Sequence, residues 1–302
     1  MPIPYFDAHC DTLTAVYEHG GGLFENRYHV DFNRLGAYVP AAQVFAVWNG
    51  AYEAKAAMLK RECALRAGSA AFCRSAEDVR RVNGEGKIAA LLSVEGAEQL
   101  DCDLDKLRTA RERDGIVMLN LCWNSDNALC GAAMDSGAGL TIRGREFVLE
   151  CQRLGVAVDM SHASECTFWD VCDIVSKPII ASHSNSAALC SEFPRNLADS
   201  QFAVLVKAGG GAGINLCPDF LSSGEAGITD VIRHIEHFLS LGGEKAVFLG
   251  ADFDGIDSTP VGLDGVQHIS RLYEELSRLG YGEDLLWQIF YGNLLEILER
   301  TQ

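Results

Sequence analysis

Lys87-Ile-Ala-Ala-Leu-Leu-Ser-Val-Glu-Gly96 holds a run of apolar and small residues, Ile88–Val94, that ends on a carboxylate, Glu95. The run does not alternate polar with apolar. That is the pattern of a strand covered on both faces, as in a parallel sheet wrapped by helices. With its start at Lys87 it makes one strand candidate, 87–94. Seven others share its character: 3–8, 43–48, 115–121, 156–161, 178–182, 211–217 and 246–250. Helical patterns lie between them. Thr141 is placed to cap a helix with Phe147, Val148, Cys151 and Leu154 on one stripe and Gly155 at its end. Ser164 is placed to cap another through Phe168, Val171, Cys172 and Val175, and Thr229 opens a third with Ile232, Ile235 and Leu239. Eight strand-helix alternations predict an α/β fold, a (β/α)8 TIM barrel. No linker or charge block divides the chain, so 1–302 is expected to be a single barrel domain with extra C-terminal helices near 267–279 and 283–300.

Glu95 is one of a set. His9 and Asp11 follow the first strand, His162 the fifth, His183 the sixth and Asp252 the last. The carboxyl ends of barrel strands converge on one rim, so these scattered residues are expected to meet. Histidine and aspartate two positions apart share a face of an extended chain, and imidazole with carboxylate suits zinc and similar divalent ions. The metal candidates are therefore His9, Asp11, Glu95, His162 and His183. A carboxylate can bridge two ions about 3.5–4 Å apart, and Glu95 is the natural bridge. Lys87 begins the same strand and belongs to the opposite rim. Asp252 is a candidate to move a proton to a departing amine, with Asp254 as its competitor. Arg195, beyond the His183 strand, offers a guanidinium fork for a substrate carboxylate. The chain reads as a metal-dependent hydrolase.

Composition narrows the partners. A formal net charge of −17 argues against nucleic acid. The apolar runs are far too short to span a membrane. No signal peptide or lipid-anchor tail is visible, which predicts a cytoplasmic enzyme. Eleven cysteines, an odd number without any Cys-x-x-Cys pair, predict reduced thiols used for packing, Cys10 among them. The glycine run 209–213 precedes its strand, so it predicts a turn on the stability face and no phosphate loop. His234 and His237 are expected on an exposed helix surface. Gly-x-Ser-x-Gly is absent, so serine hydrolysis lacks its marker.

The ordered set Asp-Ala-His-Cys-Asp, Ser-Val-Glu-Gly, Asp-Met-Ser-His, Ala-Ser-His-Ser-Asn, Arg-Asn-Leu-Ala-Asp, Gly-Ala-Asp-Phe-Asp-Gly and Tyr-Gly-Asn-Leu-Leu, over nearly the whole chain from Asp7 to Leu298, resembles the renal (membrane) dipeptidase family. The resemblance implies a binuclear zinc barrel that cleaves dipeptides, in many members those with a D-residue at the carboxyl end. It implies one zinc on His9, Asp11 and Glu95 and a second on Glu95, His162 and His183. It makes Asp252 the proton shuttle and Arg195 the clamp on the dipeptide carboxylate. One departure stands out. Many members have a histidine after the fourth strand that polarises the scissile carbonyl, and here Cys122 or Trp123 falls there. Trp123 or Asn124 is expected to line the pocket instead. The expected reaction is zinc-dependent dipeptide hydrolysis by a metal-bridging hydroxide. The alternatives are another binuclear amidohydrolase, acting on a cyclic amide, lactone or phosphoester, and a barrel that binds without turnover. A homodimer is a further expectation.

Overall fold

The computed structural model describes residues 2–302. Its strands are β1 (Tyr5–Asp7), β2 (Ala41–Val47), β3 (Ala70–Phe72), β4 (Ile88–Val94), β5 (Met118–Asn120), β6 (Ala157–Asp159), β7 (Ile180–Ala181), β8 (Gly211–Ile214) and β9 (Val247–Leu249). All pair in parallel. Neighbours run in the order β2-β1-β9-β8-β7-β6-β5-β4, and β4 returns to pair with β2 from Ala42↔Ala89 to Val47↔Val94. That last pairing closes an eight-stranded ring with helices outside it, a (β/α)8 barrel.

The eight strands of the ring are the eight read from the sequence, although most are shorter. β5 covers three of the seven residues expected, Met118 and Leu119 pairing with both β4 and β6 and Asn120 with β6 alone. β3 was not anticipated. It occupies the edge of β4 at Ile88–Ala90, before β5 takes over that edge at Ser93 and Val94. Three residues, Ala70-Ala71-Phe72, are too few to carry a periodic signal.

Helix starts follow their caps. Thr141 accepts the Gly144 N–H at the head of Ile142–Leu154, and Gly155 ends that helix at φ 67°. Ser164 accepts the Thr167 N–H at the head of Glu165–Cys172. The third helix, Ile228–Ser240, is capped by Gly227, so Thr229 lies inside its first turn. His234 on that helix is buried, against expectation. Its Nδ1 accepts the Ser186 N–H (3.1 Å) and its Nε2 bonds to the Leu221 carbonyl (3.1 Å), which ties the loop after β7 to the helix. His237 is half-buried and bonds to Asp199.

The two C-terminal helices have different tasks. Ile269–Arg278 packs outside, its buried stripe being Ile269, Leu272 and Leu276. Glu283–Trp287, a π-helical turn Gln288–Gly292 and Asn293–Thr301 run on as one rod beneath the barrel. Leu294, Leu295, Ile297 and Leu298 join one apolar cluster with Phe6, Ala89, Leu91, Ile180 and Phe248. Polar contacts fix the rod to segments that lead into strands: Lys177 Nζ on the Thr301 carbonyl (2.8 Å), Arg300 on the Gly209 carbonyl (3.0 and 3.1 Å) and the Ala76 N–H on Gln302 (2.9 Å). The rod closes the floor. Asn293 explains the late Tyr-Gly-Asn-Leu-Leu motif, since its buried amide donates to the carbonyls of Val247 (2.7 Å) and Glu244 (3.0 Å). Asn293→Ala leaves both carbonyls without this donor, so chemical denaturation should show a loss of about 1–3 kcal/mol with the fold retained by circular dichroism.

Candidate metal centre

Ala89, Leu91, Ser93 and Glu95 share one face of β4 and its extension by the two-residue period. The lower members join the apolar interior, and the last reaches the rim. The Glu95 N–H still bonds to the Val47 carbonyl (3.0 Å), so the ladder carries the carboxylate one step beyond the strand. Two and three strands round the ring, β1 and β9 are extended in the same way. The Asp252 N–H bonds to the His9 carbonyl (3.2 Å), and the Asp11 N–H to the Phe253 carbonyl (2.8 Å). Cys10 lies between His9 and Asp11 and packs in the apolar core with Leu13.

Two buried aspartates brace the loops that present the histidines. Asp7 accepts the N–H groups of His9 (2.9 Å) and Ala251 (2.8 Å) and the Gln43 amide (3.1 Å), and burial pushes its pKa up to about 6. Asp159 accepts the N–H groups of Ser161 (3.0 Å) and Ser182 (2.9 Å), immediately before His162 and His183. His162, Asp252 and Asp254 adopt left-handed backbone at φ 74°, 60° and 68°. Non-glycine residues hold such angles at a cost of order 1–3 kcal/mol, and here all three sit on the metal rim or beside it.

The structure brings the five candidate ligands together. His9, Asp11 and Glu95 form one triad of donor atoms, and Glu95, His162 and His183 form another, each within 4.8 Å. Glu95 serves both through different oxygens. Oε2 lies 3.6 Å from His9 Nε2, whereas Oε1 lies 2.8 Å from His162 Nε2 and 3.8 Å from His183 Nε2. The Nε2 atoms of His162 and His183 face each other at 3.0 Å. Their other ring nitrogens bond to Asn124 Oδ1 (2.8 Å) and Ser182 Oγ (2.7 Å). With Nδ1–H donating to Asn124 Oδ1, His162 turns an Nε2 lone pair into the site, as a metal ligand requires. Asn124, expected as a pocket residue, thus also braces the candidate ligand His162.

The donor set fits divalent ions. Asp11 Oδ1 is buried without a hydrogen-bond partner, and opposed imidazole lone pairs beside two carboxylates repel unless a cation lies among them. Burial, then the neighbouring Asp11 charge, pushes Glu95 up to about 8. Burial lowers the pKa of His162 and of His183, while the charge of Glu95 overcomes burial at His9 and raises it. Burial also raises Asp252, whose Oδ1 lies 3.7 Å from His9 Nε2 and whose Oδ2 accepts the Asn215 amide (2.9 Å). Asp254 is turned away, bonded to Thr12 Oγ1 (2.5 Å) and the His29 N–H (2.7 Å). Lys87 pairs with Glu85 on the far rim.

Above the triads is a cavity of about 190 Å³. Trp123, Asn124 and Arg195 line it as expected, and Cys122 lies buried behind the wall. Arg195 is only 5% exposed. Among the described residues no carboxylate lies within ion-pairing reach of it, and its guanidinium lies 5.7 Å from the Phe220 ring centroid. Sequence reasoning missed Trp48, Phe220, Asn215 and Gly255. Asn215 stood at the end of a strand candidate, where the same rim rule would have found it. Gly255 had no signal, because its role is to take up no room. A Cβ built there would lie 2.3 Å from Asp11 Oδ2 and 2.6 Å from Asp252 Oδ1.

The profile of the membrane dipeptidase family (peptidase family M19) matches residues 2–302. The chain belongs to that family. It is accordingly a metal-dependent dipeptidase, a hydrolase of peptide bonds. It is 31% identical over 275 residues to an uncharacterized protein from the pqqA 5′ region of Klebsiella pneumoniae, covering 87% of this chain and 98% of that one. It is 37% identical over 241 residues to an uncharacterized dipeptidase of Schizosaccharomyces pombe, covering 76% of this chain and 58% of that one. A metallopeptidase of Rhodobacter sphaeroides, solved with a phosphinate mimic of the dipeptide L-Ala-D-Ala, superposes over the whole of both chains with a TM-score of 0.89 at 28% identity. Despite the family's name, no helix among the described residues is long and apolar enough to cross a membrane. All eleven thiols are free.

Two outcomes follow for this dipeptidase. Gly255→Ala should weaken metal binding about 10- to 100-fold in a titration of the metal-free protein, with helix content unchanged. Glu95 is pushed up to about 8 and His9 beside it is raised as well, so without metal the pair holds protons at neutral pH. Metal uptake at pH 7 should therefore release about one proton or more, read by calorimetry in buffers of different ionisation enthalpy. Apparent affinity therefore rises as pH climbs toward 8. In the metal-free protein, the stability contributed by protonated Glu95 is full below the ordinary carboxyl range and is lost as pH rises through 8.

Proposed function

We propose that the chain hydrolyses dipeptides with two zinc ions bridged by Glu95, one also held by His9 and Asp11 and the other by His162 and His183. Bound divalent ions would acidify a water and draw electron density from the scissile carbonyl. The protein's own groups do the rest. Arg195 takes the free carboxylate through its guanidinium fork. Burial without an acidic partner is costly for a cation, and the substrate's carboxylate relieves that cost. The span from Arg195 to the Glu95 carboxylate then selects a two-residue substrate.

Asp252 delivers a proton to the departing amine. Asn215 holds Oδ2 and leaves Oδ1 toward His9, and burial keeps the carboxyl protonated to higher pH than an exposed one would be. Trp123 and Asn124 shape the wall beside His162. Dipeptides ending in a D-residue are within the proposed range, supported by the L-Ala-D-Ala mimic bound to the Rhodobacter sphaeroides relative. The observation that carries the reading is Glu95 serving two buried triads with an unpaired arginine in the same cavity.

The test is a panel of L,L and L,D dipeptides given to metal-stripped protein with and without added zinc. Zinc should restore cleavage, and Arg195→Ala should raise KM by about 10- to 100-fold, the worth of a charge-assisted hydrogen bond. Two zinc ions bound with no dipeptide cut, or an unchanged KM in the variant, would sink the substrate assignment.

A further inference from the structure

Trp48, at the end of β2, lines the catalytic cavity and packs against Trp123, ring centroids 5.0 Å apart. It also lines a second cavity of about 360 Å³ that reaches Glu18, Arg27 and His29. Ile256 borders both spaces as well. The two form a partition. Around the ring, β2 and β7 are separated by β1, β9 and β8 one way and by β4, β5 and β6 the other. Trp48 follows β2 and Arg195 follows β7, so they come from opposite sides of one pocket. A dipeptide with its carboxylate on Arg195 therefore directs its amino-terminal residue toward Trp48.

The loop that carries Trp48 is held against several costs. Asn49, Gly50 and Ala51 all have left-handed backbone, at φ 56°, 76° and 53°. Helix Tyr52–Leu65 begins directly afterward, and Lys55 lies in its first turn. A cation there opposes the helix dipole. Lys55 is moreover 0% exposed, and its ammonium has no carboxylate within ion-pairing reach among the described residues. It donates instead to the Trp48 carbonyl and to Thr14 Oγ1 (3.0 Å), and the Thr14 hydroxyl also donates to the Trp48 carbonyl (3.1 Å). Strain and a buried charge beside a binding pocket point to a positional task.

Resting on the dipeptidase reading, we propose that Trp48 limits the size of the substrate's amino-terminal side chain and that Lys55 is the positioning residue that holds it there. Small side chains fit before the indole. Aromatic ones need the space behind it, and the partition excludes them.

The experiment compares kcat/KM for Ala-Xaa and Tyr-Xaa dipeptides, Xaa being whichever alanine enantiomer the wild type cleaves. The ratio between the two is independent of metal loading and of the folded fraction. Trp48→Ala should raise the Tyr-to-Ala ratio by about tenfold or more, the scale on which pocket volume discriminates. Lys55→Met should shift it the same way, and the double variant should go no further than Trp48→Ala. If Lys55→Met does not fold, Thr14→Val is read in its place. A wild-type ratio in Trp48→Ala, or in a folded Lys55 or Thr14 variant with merely lowered Tm, overturns the proposal. A wild type that cuts neither dipeptide would overturn the dipeptidase reading itself.

Discussion

Like charges buried together organise this molecule. Glu95, Asp11 and Asp252 are all but sealed from water at one end of the barrel, within a few ångströms of three imidazoles. Water would solvate those groups cheaply, and the interior does so only through fixed partners. The surrounding architecture supplies them. Asp7 and Asp159 tie down the peptide N–H groups next to the ligands, Asn215 takes one oxygen of Asp252, and Asn124 and Ser182 set the ring orientations of two histidines. What the protein leaves unbalanced is the charge that divalent ions bring.

The barrel was legible because parallel strands buried on both faces leave a coarse mark, an apolar run punctuated by a turn. The grouping of the five candidate ligands was legible because barrel geometry turns strand ends into neighbours, and His9, Asp11, Glu95, His162 and His183 all followed such runs. The rest was hidden for physical reasons. β3 is too short for any period. His234 lies on an amphipathic helix, and only the fold reveals that the loop after β7 covers it. Gly255 matters through the space left to two carboxylates, and a glycine in a turn has many commoner explanations. Trp48 was the last residue of the strand candidate 43–48, with nothing in the sequence to set it apart from the run.

Two groups of strained positions border the pocket. His162, Asp252 and Asp254 turn the backbone so that a side chain can enter or leave the metal site. Asn49 and Ala51 turn it so that an indole can stand in the pocket wall. In both groups the neighbouring hydrogen bonds over-determine the geometry, which is how an unfavourable backbone angle persists. Rigidity at the rim suits chemistry in which ligand placement matters within fractions of an ångström.

The helical rod under the barrel has a consequence for assembly. Its residues near 300 bond to segments leading into β4, β7 and β8, and β1 finds its second neighbour only in β9. Contacts so distant along the chain form late and slowly. During synthesis His9 and Asp11 emerge first, yet their place beside Asp252 depends on a ring that nothing closes until the last strand arrives. A partly made chain would hold scattered ligands without a hydrolytic centre, and competence for peptide cleavage would appear all at once, with the closing of the floor.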